Sequence, residues 1–153
     1  MPLVPGILTD AARNAWPRMF YGDVVFKNIS YVKFGEGGWV DPGNGRVPRT
    51  ASQMTGLTNL DCVVNPNNYP VDSRGTYQKN LAPADFSIEN NSVLKIRCFL
   101  DFGDWNDDGN GNNPEIWELG VFDESNRLVA YATFQKITKD NTKQLEQFVR
   151  IGF

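Results

Sequence analysis

The sequence contains no histidine and only two cysteines. The absence of histidine removes the most common general base, the most common metal ligand and every serine–histidine or cysteine–histidine nucleophile arrangement. Cys62 and Cys98 are far apart in the chain, and so sparse a pair is more typical of two buried thiols than of a disulfide framework. We therefore expect free thiols and assembly in a reducing compartment.

The chain also lacks a basic excess and a long apolar run. Lys and Arg number 15 against 18 Asp and Glu, a formal net charge of −3 without a basic cluster, which argues against a nucleic-acid partner. No stretch approaches the ~20 apolar residues of a membrane span, and the first residues do not follow a signal-peptide pattern. We expect a soluble protein made in the cytoplasm, with no membrane partner.

The length and composition predict one domain over residues 1–153. A chain of 153 residues buries about two thirds of its extended surface, which is enough for one core. Residues 1–8 carry two prolines and a glycine within an apolar stretch, which predicts an extended N-terminal arm with a surface to lie on. Thr9 or Asp10 can cap a short helix over residues 9–16, which Pro17 ends. Residues 23–153 form a β domain.

Strand-type patterns dominate that domain. The most regular lies in residues 93–102, where Leu94, Ile96, Cys98, Leu100 and Phe102 share one face of a period of two. The other predicted strands cover residues 23–34, 60–64, 86–88, 116–122, 128–134 and 145–153. The expected fold is mainly β: an antiparallel β-sandwich-like domain of six or seven strands, with one short N-terminal helix and long loops. The loops at 39–56 and 65–83 are long enough to suggest contacts with other proteins.

An acidic loop precedes the strand at 116–122. Its residues follow the spacing of a twelve-residue calcium loop, in which alternate oxygen ligands point at one centre. The candidate ligands are Asp104, Asn106, Asp108, Asn110 (through its carbonyl), Asn112 and Glu115. The alternative is a solvated hairpin loop in which Asp, Asn and Gly supply turn conformations. If calcium binds, we expect a structural clip.

Two functional alternatives involve sugars. Trp105 and Trp117 flank the acidic loop and could stack on a carbohydrate, which would make the chain a calcium-dependent carbohydrate-binding module. Paired carboxylates could also hydrolyse glycosides, but no spacing in the sequence fixes their separation. We do not expect an enzyme.

A hairpin carries a resemblance to a known family. The segments WELGVFD (117–123) and LVAYATF (128–134) resemble the "E-(I/L)-G-(L/V)-(F/Y)-D … L-(V/I)-A … F" signature of the N-terminal attachment domain of bacteriophage tail fibres of the tail-collar type. Three other segments are similar to that family in the same order: ILTDA (7–11), ISYVKFGEG (29–37) and TGL (55–57). The acidic loop is an insertion relative to the pattern.

The resemblance implies a structural component of a tailed phage virion, assembled in the host cytoplasm. Such a small baseplate or fibre-attachment adaptor would contact other tail, baseplate or fibre proteins and would form a homo-oligomer, either a trimer or a ring. Aromatic and arginine side chains are common at interface hot spots. The candidate interface residues are Leu3, Val4, Trp16, Trp39, Tyr69 and Arg74.

Overall fold

Two β-sheets form the framework of the protein. The computed structural model describes residues 3–5, 7–10, 12 and 28–152, and for Leu3–Pro5 the backbone alone. The described strands are β1 (Leu3–Pro5), β2 (Ile7–Leu8), β3 (Ile29–Gly35), β4 (Trp39–Val40), β5 (Val47–Pro48), β6 (Thr76–Asn80), β7 (Phe86–Glu89), β8 (Val93–Leu100), β9 (Glu115–Asp123), β10 (Leu128–Thr138) and β11 (Leu145–Gly152). The expected mainly-β, sandwich-like class is confirmed.

The sheets differ in size and in strand order. Sheet A has the order β1-β11-β8-β7, and sheet B has the order β2-β10-β9-β3-β6, with β4 and β5 forming a separate small hairpin. The pairings are antiparallel except for β1 with β11, which run parallel. The described residues therefore contain more strands than the sequence predicted, and several of the extra ones are only two or three residues long.

The regular strand predicted at 93–102 is confirmed as β8, and it pairs with β11 along eight residues. Ile96, Cys98 and Leu100 are buried on its inner face, as the period of two requires. Phe102 was wrongly assigned to that face: β8 ends at Leu100, and the Phe102 side chain is 49% exposed in the turn that follows. Both cysteines are buried free thiols, as expected.

Sheet B is covered on both faces. Alternate residues of β9 and β10 point into two different cores, with Val121 and Ala130 in one and Phe122 and Tyr131 in the other. The first core lies between sheets A and B. The second is closed by the segment between β3 and β6, which supplies Trp39, Met54, Leu60, Cys62 and Tyr69. The long predicted loops thus fold back onto the chain's own sheet.

Three assignments in and between those loops were wrong. Residues 39–56, predicted as loop, contain the hairpin of β4 and β5; residues 60–64, predicted as a strand, include the helix α1 (Asp61–Val64); and residues 65–83, predicted as loop, contain the edge strand β6. Helix α1 is stabilised because the backbone amides of Asp61 and Cys62 donate to the carboxylate of Glu118 on β9. This contact is not encoded in any local sequence pattern. Strand β6 reads TYQKN and half-buries only Tyr77 and Lys79, so its hydrophobic signal is weak. Short 3-10 helices occupy Ala51–Gln53, Pro66–Asn68, Val71–Ser73 and Pro83–Asp85.

The N-terminal arm lies on both sheets. Strand β1 extends the edge of sheet A at β11, and β2 extends the edge of sheet B at β10. Of the predicted helix, Asp10 and Ala12 are helical, and the Thr9 Oγ1 atom accepts a hydrogen bond of 3.2 Å from the Ala12 amide, which is an N-cap contact. The remainder of that helix and the start of the strand predicted at 23–34 lie outside the described residues.

Within the described part of the chain, no helix is long and apolar enough to span a membrane.

Candidate functional site: a buried carboxylate junction and an acidic loop

Glu118 is a fully buried carboxylate at the centre of sheet B. It lies on β9 among apolar neighbours, and its side chain points into the second core. The Asp61 amide donates to Glu118 Oε2 at 3.0 Å, the Cys62 amide donates to Oε1 at 3.3 Å, and the Tyr131 hydroxyl donates to Oε2. The first amides of a helix lack intrahelical acceptors, so Glu118 satisfies two of these in α1. It fastens α1 to the sheet.

The glycine-rich turn after β3 makes room for this contact. A Cβ on Gly35 would lie 2.6 Å from Glu118 Oε1, and one on Gly37 would lie 2.5 Å from the Cys62 Cβ. Gly38 adopts a φ of +81°, which disfavours any residue with a side chain. The Gly-Glu-Gly turn and the Glu118 hairpin, which are separate motifs in the sequence, are therefore parts of one packed unit.

Asp61 extends the network towards Arg49. The Arg49 Nε atom lies 2.7 Å from Asp61 Oδ2, and the Tyr69 hydroxyl and the Asn65 side-chain amide also donate to this carboxylate. The Gly38 amide in turn donates to the Tyr69 hydroxyl at 2.9 Å. We call Glu118, Asp61, Tyr131, Tyr69 and Arg49 the carboxylate junction.

Four of the five junction residues are buried, and the Arg49 side chain is 19% exposed at its edge. Glu118 is 0% exposed, Tyr131 1%, Asp61 2% and Tyr69 3%. Burial raises the pKa of Glu118, and burial together with the neighbouring carboxylates raises the pKa values of Tyr131 and Tyr69. The two tyrosines therefore stay protonated and act as hydrogen-bond donors. With its oxygens facing internal partners, the junction fastens α1 and the segment that carries Arg49 to sheet B.

The acidic loop is held by lysine side chains. The Lys79 ammonium and the Tyr77 hydroxyl contact the Asp104 carboxylate. Lys139 is 0% exposed, and its ammonium donates to Asn106 Oδ1 at 2.8 Å, to the Asp140 carbonyl at 2.9 Å and to the Phe102 carbonyl at 3.4 Å. Burial acts to raise the pKa of the Asp104 carboxyl, but the hydrogen bond and charge of Lys79 help to lower it, and the pKa lies below its usual value. Protein ammonium groups thus occupy the base of the loop.

Two other predicted calcium ligands, Asp108 and Glu115, have protein partners. Asp108 Oδ1 accepts the amides of Asn110 and Asn112, and Glu115 forms ion pairs of 3.4 Å with Arg46 and with Lys136. In the described residues, no three Asp, Glu, His or Cys side chains come together as a metal-binding group. Calcium also takes amide and backbone oxygens, so the calcium loop stays a prediction. It requires the Lys79 and Lys139 ammoniums to move away.

A polar cleft of about 260 Å³ separates the acidic loop from the segment at 72–73. It is lined by Glu36, Arg46, Asp72, Ser73, Asp108, Asn112, Asn113 and Glu115. Glu36 forms its floor and is 3% exposed, and its two oxygens accept the Gly75 amide at 3.1 Å and the Glu115 amide at 2.9 Å. Burial, with a contribution from Asp108 and Glu115, raises the pKa of Glu36 to about 7.

The tryptophans beside the loop are not open to a ligand. Trp105 is 7% exposed and stacks on Tyr77 with the ring centroids 6.0 Å apart, and Trp117 is 2% exposed in the second core. Stacking on a sugar needs an exposed ring face. In this fold neither indole offers one.

The candidate interface residues are dispersed, and two are internal. Trp39 and Tyr69 are buried against each other, with ring centroids 5.1 Å apart, so in this fold neither reaches a partner. Arg74 is half-buried and donates twice to the Tyr69 carbonyl. Leu3 and Val4 belong to β1, where the backbone alone is described. Trp16 lies outside the described residues.

Sequence reasoning missed the residues that organise this region. Asp61, Arg49, Lys139 and Glu36 received no role, because decisive partners lie on other elements. Asp61 contacts Glu118 across 57 residues, Lys139 contacts Asn106 across 33, and Glu36 contacts Glu115 across 79. One usable signal exists: the carboxylate of Glu118 interrupts the apolar run of β9, and a charge at the centre of a buried strand predicts a buried partner.

The chain has no match among family models, curated protein sequences or solved structures.

Proposed function

We propose that the chain is a structural attachment or adaptor domain of a tailed bacteriophage virion, which connects tail, baseplate or fibre proteins through protein–protein interfaces. The observation that carries the proposal is the junction around Glu118. Segments 29–37 and 117–134, which resemble the tail-collar attachment domain, contact each other there through Gly35 and Glu118. Segment 7–11 also reaches this hairpin, since Thr9 Oγ1 donates to the Leu128 carbonyl at 2.8 Å.

The distribution of polar groups supports a scaffolding role. The charged side chains of the carboxylate junction fix the segment between β3 and β6 to sheet B, so that the domain presents its surface in one arrangement. On the face of sheet A that points away from the first core, the side chains of Arg97, Phe99, Phe148 and Arg150 are partly exposed, and such residue types are enriched at protein interfaces. A trimeric or ring-like assembly remains part of the proposal.

Mass spectrometry of purified phage particles tests the proposal directly. Particles from the phage that encodes the chain should contain its peptides at a copy number that matches the symmetry of the tail, after washing removes loosely bound host proteins. Non-structural proteins of the same phage serve as the control for contamination. If the chain is absent from intact particles, the proposal fails.

A glycan array separates this proposal from the carbohydrate-binding alternative. Purified protein is applied with calcium and again with excess chelator. The attachment role predicts no specific sugar signal in either condition. A signal that chelation abolishes would favour the binding module.

A further inference from the structure

The chain contains the same type of five-residue turn twice, at two distant places in the sequence. The segment DPGNG (41–45) lies between β4 and β5, and the segment DDGNG (107–111) lies in the acidic loop. These turns hold both of the Asn-Gly pairs in the chain. Every residue of the two turns is exposed apart from Asp108, which is half-buried. Each turn therefore presents an asparagine and a following glycine to solvent.

The first aspartate of each turn holds the backbone in the same way. Its Oδ1 atom accepts the amide of the first glycine, at 2.8 Å in one turn and 2.7 Å in the other. The same oxygen lies 3.3 Å from the amide nitrogen that follows the asparagine, with Asp41 next to Gly45 and Asp107 next to Gly111. All four glycines have a positive φ, which side chains disfavour, so the shared geometry depends on the shared sequence.

The two asparagine side chains have no partner that would hold their amide groups in place. Neither Asn44 nor Asn110 forms a side-chain hydrogen bond with another described residue. A Cβ atom added to Gly45 or to Gly111 would meet nothing within 4 Å, so the backbone that follows each asparagine is open. Attack of the following backbone nitrogen on an asparagine Cγ atom closes a five-membered ring, and a glycine at that position does not crowd the ring.

We propose that Asn44 and Asn110 are sites of spontaneous deamidation, in which the carboxylates of Asp41 and Asp107 accept the proton of the attacking amide. The glycine nitrogen bonds to the asparagine Cγ atom, and the bond from Cγ to Nδ2 breaks. The proton passes through the carboxylate to the departing nitrogen, which leaves as ammonia. A water molecule then opens the cyclic imide at either carbonyl. The product is aspartate or isoaspartate and carries one new negative charge.

Both reactions change the surroundings of the polar cleft. Arg46 follows the first turn directly and Asn112 follows the second, and both residues line the cleft. The lining already includes the carboxyl groups of four residues and a single guanidinium. Deamidation makes these surroundings more acidic as the protein ages. Where isoaspartate forms, the backbone of the turn also gains a carbon atom.

Asn141 provides a control within the same chain. It is exposed, and the amide of the following Thr142 donates to Asp140 Oδ1 at 2.8 Å, so a carboxylate lies beside this backbone nitrogen as well. The β-branched side chain of Thr142 restricts the backbone and crowds the ring that deamidation requires. We therefore expect Asn141 to remain an amide while the two Asn-Gly sites react.

Incubation of the purified full chain for several weeks, at neutral pH and physiological temperature, tests the proposal. The intact mass should rise by about 1 Da per event, and ion-exchange chromatography should resolve more acidic forms. Peptide mapping should place aspartate and isoaspartate at Asn44 and Asn110 but not at Asn141. Asp41→Asn keeps an oxygen that can accept the same amides but removes the basic carboxylate, so the rate at Asn44 should fall about tenfold. The rate at Asn110 should not change in that variant.

Two results would overturn the proposal. One is that Asn44 and Asn110 persist as long as Asn141 does. The other is that Asp41→Asn reacts at Asn44 at least as fast as the parent, which would mean that the carboxylate only holds the turn. Near-ultraviolet circular dichroism checks that the variant keeps its fold. Neither result bears on the proposed function, because the presence of the chain in phage particles does not depend on deamidation.

Discussion

The hydroxyl of Tyr131 is one of three donors to the buried Glu118 carboxylate. Tyr131→Phe keeps the ring but removes this donor, and we expect a loss of about 2 kcal/mol in the free energy of unfolding, because a buried oxygen loses its partner. Urea denaturation measures the loss. Tyr77→Phe removes a hydroxyl that donates to the half-buried Asp104 at 3.2 Å and should cost under about 1 kcal/mol. Equal losses in the two variants would contradict a special role for the junction.

Glu36 should make the stability of the protein depend on pH. Burial raises its pKa from 4.5 to about 7, so between these values the folded chain retains a proton that the unfolded chain releases. The contribution of Glu36 to the free energy of unfolding is therefore complete below pH 4.5 and is lost as pH rises through about 7, a change of about 3 kcal/mol. Glu36→Gln removes this titration.

The difference in unfolding free energy between the parent and Glu36→Gln, measured by urea denaturation from acidic to neutral pH, should therefore change by about 3 kcal/mol. Glu124→Gln makes the same chemical change at an exposed position and is the matched control. A constant difference across the range would show that Glu36 does not titrate there.

At the scale of elements, Lys139 connects the end of β10 to the acidic loop. Lys139→Met preserves the length of the side chain but removes three hydrogen bonds and leaves the Asn106 Oδ1 atom without its donor, and we expect a loss of about 2 kcal/mol. Lys143→Met alters an exposed lysine four residues later and should change stability by less than about 0.5 kcal/mol. Chemical denaturation of both variants gives the comparison. If they behave alike, the Lys139 contacts do not stabilise the loop.

The same loop carries the calcium prediction. A bound ion would stabilise the folded chain, so the melting temperature should be higher in millimolar calcium than in excess chelator. Because the ion must displace the Lys79 and Lys139 ammoniums, Lys79→Met should bind calcium more tightly than the parent. Identical melting temperatures in the two conditions, for both proteins, would rule the site out.

At the scale of the whole molecule, the N-terminal arm joins the two sheets at one side. Deletion of residues 1–8 would uncover the edges of β11 and β10 together, and exposed strand edges pair with other chains. We expect a lower unfolding free energy and a greater tendency to aggregate, measured by urea denaturation and light scattering. Deletion of Met1 and Pro2 alone, which leaves β1 and β2 intact, is the control. A stable, monodisperse chain without residues 1–8 would contradict a structural role for the arm.

The strands with a regular alternation were predictable from sequence. In β8 the apolar residues repeat every second position, whereas in β11 the buried face has Leu145, Val149 and Ile151 but also the polar Gln147. Local periodicity carries this information because a sheet with one covered face separates its residues by polarity. The end of β8 was misplaced at Phe102 because the turn that follows is also partly apolar.

The second core could not be predicted in this way. Its covering segment, from Trp39 to Tyr69, contains short turns and helices whose positions depend on Glu118, Arg49 and Gly38 rather than on local propensity. Residues 60–64 have strand propensity, but the carboxylate of Glu118 favours a helical turn there by accepting two of its free amides. Tertiary contact thus overrode local preference.

The sequence by itself determined the fold class, the free thiols and the alternation of β8, because these depend on composition and on neighbours two residues apart. The tertiary structure alone decided that sheet B is buried on both faces, that lysines occupy the base of the acidic loop, and that Trp39 and Tyr69 lie inside. These features depend on pairs of charged and aromatic groups that are distant in the chain. Only the folded chain brings such groups within hydrogen-bond distance.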